Sequence, residues 1–150
     1  MEWISLDDAS KYITIISALI ATASLIYMGK QLKLSAKISK GQFLLELEKM
    51  AYTHNEVHLN LRPGGKWSSG KITSDTPEEW AKIDDYMGFF EHCELLMQDK
   101  SLSEKNFKSI FEYRVRNILD NDDIVQAKLI DEKEHWEDFL KLQSRLNIKS

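Results

Sequence analysis

The sequence predicts an all-α protein, an N-terminal transmembrane helix followed by a cytoplasmic bundle of about four helices. Three observations predict it. Tyr12 to Gly29 carries no charge and is bounded by Lys11 and Lys30. The rest of the chain repeats apolar residues every three or four positions, the helical period. Two strong helix starts then punctuate it, Thr76-Pro77-Glu78-Glu79 and Ser101-Leu102-Ser103-Glu104.

The first element is the span. Eighteen residues at helical rise cover roughly 27 Å, close to the roughly 30 Å of a bilayer core. A buried helix of a soluble core would show a polar stripe, and here every face is apolar or small. A cleaved signal peptide would need a basic start. This one begins with Glu2, Asp7 and Asp8, and the apolar run continues past Ala21-Thr22-Ala23 through Leu25-Ile26-Tyr27-Met28. Thr14, Ser17, Thr22 and Ser24 are tolerated in lipid because each hydroxyl can bond back one turn.

Charge sets the orientation. Lys30, Lys33, Lys37 and Lys40 follow the span with no acid before Glu46, which places the C-terminal domain in the cytoplasm of a bacterial cell. Residues 1–11 are then a short extracytoplasmic N-terminus, 12–29 the span in the inner membrane, 30–42 a basic juxtamembrane stalk and 43–150 the bundle. Trp3, Tyr12 and Tyr27 stand where interfacial aromatics belong, and with the four lysines they form the expected contact with membrane lipid. Thr14, Ser17, Ala18, Ala21 and Thr22 recur at four-residue spacing, a face on which helix backbones approach closely. That face predicts a homo-oligomer.

Next comes a helix from Leu32 to about Leu59, with Leu32, Ala36, Phe43, Leu47, Met50 and His54 on one face and a kink or close neighbour at Gly41. Pro63-Gly64-Gly65 ends it. Residues 61–75 form a loop, expected to be a mobile surface segment. Its glycines and serines with Lys66, Trp67 and Lys71 also suggest a cradle for an anionic ligand, although no P-loop motif is present. The helix begun at Thr76 runs to about Gln98, with Trp80, Ile83, Met87, Phe90 and Met97 inward. The next presents Phe107, Ile110, Phe111, Val115 and Ile118 and is broken at Asp120-Asn121-Asp122-Asp123. A last stretch, in one or two pieces around Asp131, carries Val125, Leu129, Trp136, Phe139, Leu140 and Leu146.

Composition excludes several functions. The net charge is −4, and from residue 41 onward 15 Lys/Arg face 21 Asp/Glu, which argues against general nucleic-acid binding. The single cysteine, Cys93, rules out an internal disulfide and suits a reducing compartment. His54 and His58 stand four apart, but a metal would need a third ligand such as His92, Glu91 or His135. They read as helix-surface histidines, and no metal or cofactor is expected. His92 and Cys93 are adjacent and diverge on a helix, so they make no catalytic dyad. Arg114 and Arg116 lie on an otherwise apolar helix, where Glu94 or Glu112 could pair with them or an anionic ligand could bind.

Four motifs carry a resemblance: Gln42-Phe43-Leu44-Leu45-Glu46-Leu47, Phe89-Phe90-Glu91, Tyr113-Arg114-Val115-Arg116-Asn117 and Trp136-Glu137-Asp138-Phe139-Leu140. In these the chain resembles small single-pass bacterial membrane proteins of unknown function. Its layout is similar to the HEPN-like membrane accessory proteins of RNA-targeting type VI-B CRISPR systems. The resemblance implies an oligomer of single spans topped by helical domains and linked to membrane depolarisation in antiviral defence. HEPN ribonucleases carry an Arg, often followed by Asn, with a His four to six residues after the Arg. Arg116-Asn117 begins such a motif, but residues 120–122 are Asp, Asn and Asp, and neither Arg114 nor Arg62 supplies the histidine. The expectation is therefore a non-enzymatic oligomer that senses a cytosolic defence protein or a small anionic ligand. A tethered adaptor and a degenerate HEPN-like RNA-binding or nuclease domain are the alternatives.

Overall fold

The computed structural model describes residues 6–72 and 76–148, and side chains from residue 10. Its helices are α1 (Leu6–Thr53), α2 (Asn55–Leu61), α3 (Pro77–Gln98), α4 (Glu104–Leu119), α5 (Asp122–Ile124) and α6 (Glu137–Leu146). A π-helical segment, Val125–Asp131, and a 3₁₀ turn, Lys133–His135, link α5 to α6. The described residues contain no strand. The chain divides into two compact units, Met1–Glu46 and Leu47–Ser150.

In the first unit α1 runs unbroken through Gly29 and Gly41, with nothing within 4 Å of where either Cβ would stand. Gly41 therefore neither kinks the helix nor admits a neighbour. The break expected near Leu59 comes earlier, at His54, whose backbone (φ −100°, ψ 20°) leaves the helical region. A short α2 follows at once. Of the face read from the sequence, Leu47 is buried and Phe43 half-buried, whereas Leu32 and Met50 are exposed.

The second unit is built on α3. Its cap follows the sequence signal: Thr76 Oγ1 accepts from the Glu79 amide at 3.3 Å and Pro77 occupies the first turn. Phe90 sits at the centre with no exposed surface, and Tyr86, Phe89, Phe107, Phe111 and Phe139 meet it edge-on at centroid distances of 5.0–6.5 Å. Edge-to-face packing adds roughly 0.5–1.5 kcal/mol per pair beyond area burial. Ser103 Oγ caps α4 through the Asn106 amide. Phe107, Phe111, Val115 and Ile118 then face the core at helical spacing. α6 closes the bundle against α3 with Phe139, Leu142 and Leu146.

The link between α4 and α6 departs from the expected α-helix. Asn121 Oδ1 caps α5 through the Ile124 amide, and the chain then widens into π geometry. Lys128 is buried there, bridging Asp84 at 2.9 Å and Glu132 at 3.0 Å, with its ammonium over the Trp80 ring. Burial pulls the Lys128 pKa down, and the two carboxylates more than offset it, so it ends above the ordinary lysine value.

Candidate functional site

In the first unit, α1 is the one helix among the described residues long and apolar enough to cross a membrane, judged by length and composition, with a mean hydropathy of 1.7 in its apolar window. None of that window is buried against the rest of the protein. Tyr12 and Tyr27 are exposed, and Gln31 donates to the Tyr27 hydroxyl at 2.8 Å. Thr14, Thr22 and Ser24 donate to the carbonyls of Ser10, Ala18 and Ile20 at 2.8–2.9 Å, so these hydroxyls are satisfied within the helix. Ser17, Ala18 and Ala21 are exposed beside them, as are Lys30, Lys33, Lys37 and Lys40. Trp3 lies outside the described residues.

The described part of the loop after α2, expected from sequence to be a surface segment, is tied into the domain. The Trp67 amide donates back to the Asn60 carbonyl at 2.8 Å, and Asn121 Nδ2 donates to the Trp67 carbonyl at 3.2 Å. Farther on, the Ile72 amide donates to Asp123 Oδ2 at 2.8 Å. The acidic run Asp120–Asp123 thus works as a cap and as the loop's anchor. Trp67 is a core residue, 2 % exposed, and its ring offers no face to a ligand in solvent. Lys66 lies over the Trp67 ring and pairs with Glu79 at 2.9 Å, while Lys71 is exposed. Thr73, Ser74 and Asp75 lie outside the described residues. Gly65 explains the tight return: a Cβ there would stand 2.2 Å from the Leu59 carbonyl oxygen.

The two arginines singled out on α4 separate. Arg116 is paired one turn back with Glu112. Glu94, the other expected partner, is engaged instead by Arg145 of α6 through two bonds of 2.6 and 2.8 Å. Arg114 is buried, 7 % exposed, and no described carboxylate pairs with it. Its Nη1 donates to the Ala51 carbonyl at 3.5 Å and its Nε to the Tyr113 hydroxyl at 3.1 Å. Its guanidinium lies 5.9 Å from the Tyr52 ring centre and 5.8 Å from that of Tyr113. This is the distance range of cation–π attraction.

Around Arg114 the fold gathers residues from four helices. His58 of α2 packs edge-on to Tyr113 at 5.4 Å, and its Nδ1 is buried without a partner. Burial, then the charges of Arg114 and Arg62, lower its pKa from 6.5 to about 4, so it is neutral at pH 7. Burial drives the Tyr86 phenol well above its ordinary value, with Arg114 opposing. Tyr52 and Tyr113 cover the cluster from outside, 65 % and 51 % exposed. Tyr52, Tyr86 and His58 carry no sequence signal that joins them to Arg114, because the turn at His54 and the packing of α3 bring them there.

His54 and His58 serve different neighbours. His54 lies against Tyr86 and Phe89, and burial lowers its pKa. His54 also lines a cleft of about 300 Å³ with Asp84, Asp85 and His92. Among the described residues no three His, Cys, Asp or Glu side chains converge as metal ligands. Cys93 is fully buried, and that burial raises its thiol to about 12. The thiol is thus not the activated thiolate of a nucleophile.

Compared with known proteins, the chain matches no family model, no curated protein and no solved structure.

Proposed function

We propose that this chain is a single-span, self-associating protein of the bacterial inner membrane, with its N-terminus outside and its helical domain in the cytoplasm. In this reading the domain senses a small anionic ligand or a defence partner, and clustering of the spans perturbs the bilayer, in antiviral defence and without catalysis. One observation carries the reading. An uncharged stretch from Tyr12 to Gly29, exposed along its described length, has no cover from its own chain, and lipid is the solvent that removes the cost. The lysine asymmetry supports the orientation. Clustering is supported by the small-residue face at Ser17, Ala18 and Ala21 and by the back-bonded hydroxyls of Thr14 and Thr22. The motif resemblance supports the defence role.

Continuity of α1 sharpens the lipid contact. At 1.5 Å per residue, Lys40 stands roughly 16 Å beyond Gly29 along the axis. The headgroup zone is only about 5–7 Å deep on each side. With an upright helix, Lys30 and Lys33 reach it and Lys37 and Lys40 do not.

Full-length protein should pellet with membranes, resist alkaline carbonate extraction, and place a C-terminal reporter in the cytoplasm. It should run as a defined multimer by native mass spectrometry in detergent, and Ala18→Ile with Ala21→Ile should shift it to smaller species. Extraction by carbonate overturns the span, a periplasmic reporter overturns the orientation, and a monomer overturns the clustering.

A further inference from the structure

Arg114 is held where an arginine ordinarily requires a carboxylate, and none of the described residues supplies one. A guanidinium has five N–H donors. Here Nε donates to the Tyr113 hydroxyl and Nη1 to the Ala51 carbonyl at 3.5 Å, and the Tyr86 hydroxyl also faces the guanidinium, so the five donors still outnumber their acceptors. Beside it His58 Nδ1 is buried with no partner, in a ring 7 % exposed. One turn after His58, Arg62 donates its amide to the His58 carbonyl at 3.1 Å, and its exposed side chain pairs with no described acid. The domain is acidic overall, so two arginines free of carboxylates at one place set this surface apart. Two exposed tyrosines flank the guanidinium, giving flat apolar faces next to positive charge.

We propose that Tyr52, Arg62, Tyr113 and Arg114 form a binding site for a phosphate-bearing planar ligand, a free nucleoside monophosphate. The phosphate takes the unspent donors of Arg114 and the exposed head of Arg62, in charge-assisted bonds. The ring lies on Tyr52 or Tyr113. His58 lines the floor as a neutral group whose bare Nδ1 accepts from a ligand hydroxyl or an intervening water. A single strand of nucleic acid is disfavoured because its successive phosphates would meet the acidic remainder of the domain. This deepens the reading of a ligand-sensing domain and depends on no property of the span.

The test uses full-length protein in detergent micelles and isothermal titration calorimetry. The probes are adenosine monophosphate, adenosine, inorganic phosphate and a single-stranded hexanucleotide. Expected is saturable binding of the monophosphate, at least tenfold tighter than adenosine or phosphate alone. Arg62→Ala and Tyr52→Ala alter exposed side chains that hold no buried polar group in place, so each should weaken binding about fivefold or more with little change in the thermal midpoint. Arg114→Lys should abolish it, and the two exposed variants decide the matter if that protein fails to fold. Absence of monophosphate binding, binding that neither exposed variant changes, or tighter binding of the hexanucleotide each overturns the proposal. Each of these leaves membrane insertion as it was.

Discussion

Glu94 shows what one residue can hold. Its carboxylate is 1 % exposed and is met by Arg145, itself 35 % exposed, and by the Gln98 amide at 3.3 Å, so the acid has exchanged water for a guanidinium and one neutral donor. Breaking a buried pair from one side costs about 3–5 kcal/mol, and the partial exposure of Arg145 points to the lower end. Arg145→Met should therefore lower the thermal midpoint of the domain by roughly 10 °C or more, read by circular dichroism. Glu94→Gln should cost less, since it keeps an acceptor without stranding a charge. His58 gives a pH dependence. Its pKa is depressed on folding, so below 6.5 the unfolded chain binds the proton more readily than the folded one. Its contribution is fully present above that value and is lost as pH falls toward about 4. Urea midpoints measured from pH 7.5 to 4.5 should fall, and His58→Phe should flatten the slope. None of this is legible from sequence, since the arginine expected to pair with Glu94 stands on α4 and the one that does so stands on α6.

Among the elements, the loop between α2 and α3 is the most informative. Glycines, serines and lysines around a tryptophan describe equally well a mobile flap and a folded cap with one buried anchor. The anchoring comes from Asn121 and Asp123, about fifty residues away, and only the tertiary fold supplies them. Trp67→Ala should destabilise the domain by about 3–5 kcal/mol, the cost of emptying a large aromatic site. Gly65→Ala should cost about 1–3 kcal/mol, because the new methyl meets backbone carbonyls that cannot rotate away. Two denaturation curves check both, and a loop that tolerates them would not be pinned. The capped starts of α3 and α4 were legible because their signals are local. The π-helical segment was not, because Lys128 is placed there by Asp84 of another helix.

For the whole molecule, two units share one chain. The first carries the uncharged stretch Tyr12 to Gly29 and the lysines that follow it, while most of the charged residues and aromatics stand in the second, where acids exceed bases. If the span sits upright, the lipid contact is confined to the first turn after it. Lys30→Ala with Lys33→Ala should then weaken the preference for anionic lipid in reconstituted vesicles, and Lys37→Ala with Lys40→Ala should leave it unchanged. An equal effect from both pairs would mean that the stalk lies along the surface. Lipid-selectivity measurements on the two double variants decide between these outcomes.

Residue order alone establishes the all-helical class, the uncharged stretch within α1 and the caps of α3 and α4. Each rests on interactions within a few turns of chain, which periodicity and charge record directly. Packing settles that Trp67 is core, that Glu94 belongs to Arg145, and that Arg114 is buried beside aromatic rings with no described carboxylate as partner. Those outcomes depend on which distant side chain arrives to desolvate or pair a group. Desolvation is a property of the packed neighbourhood, and residue order carries no local mark of it.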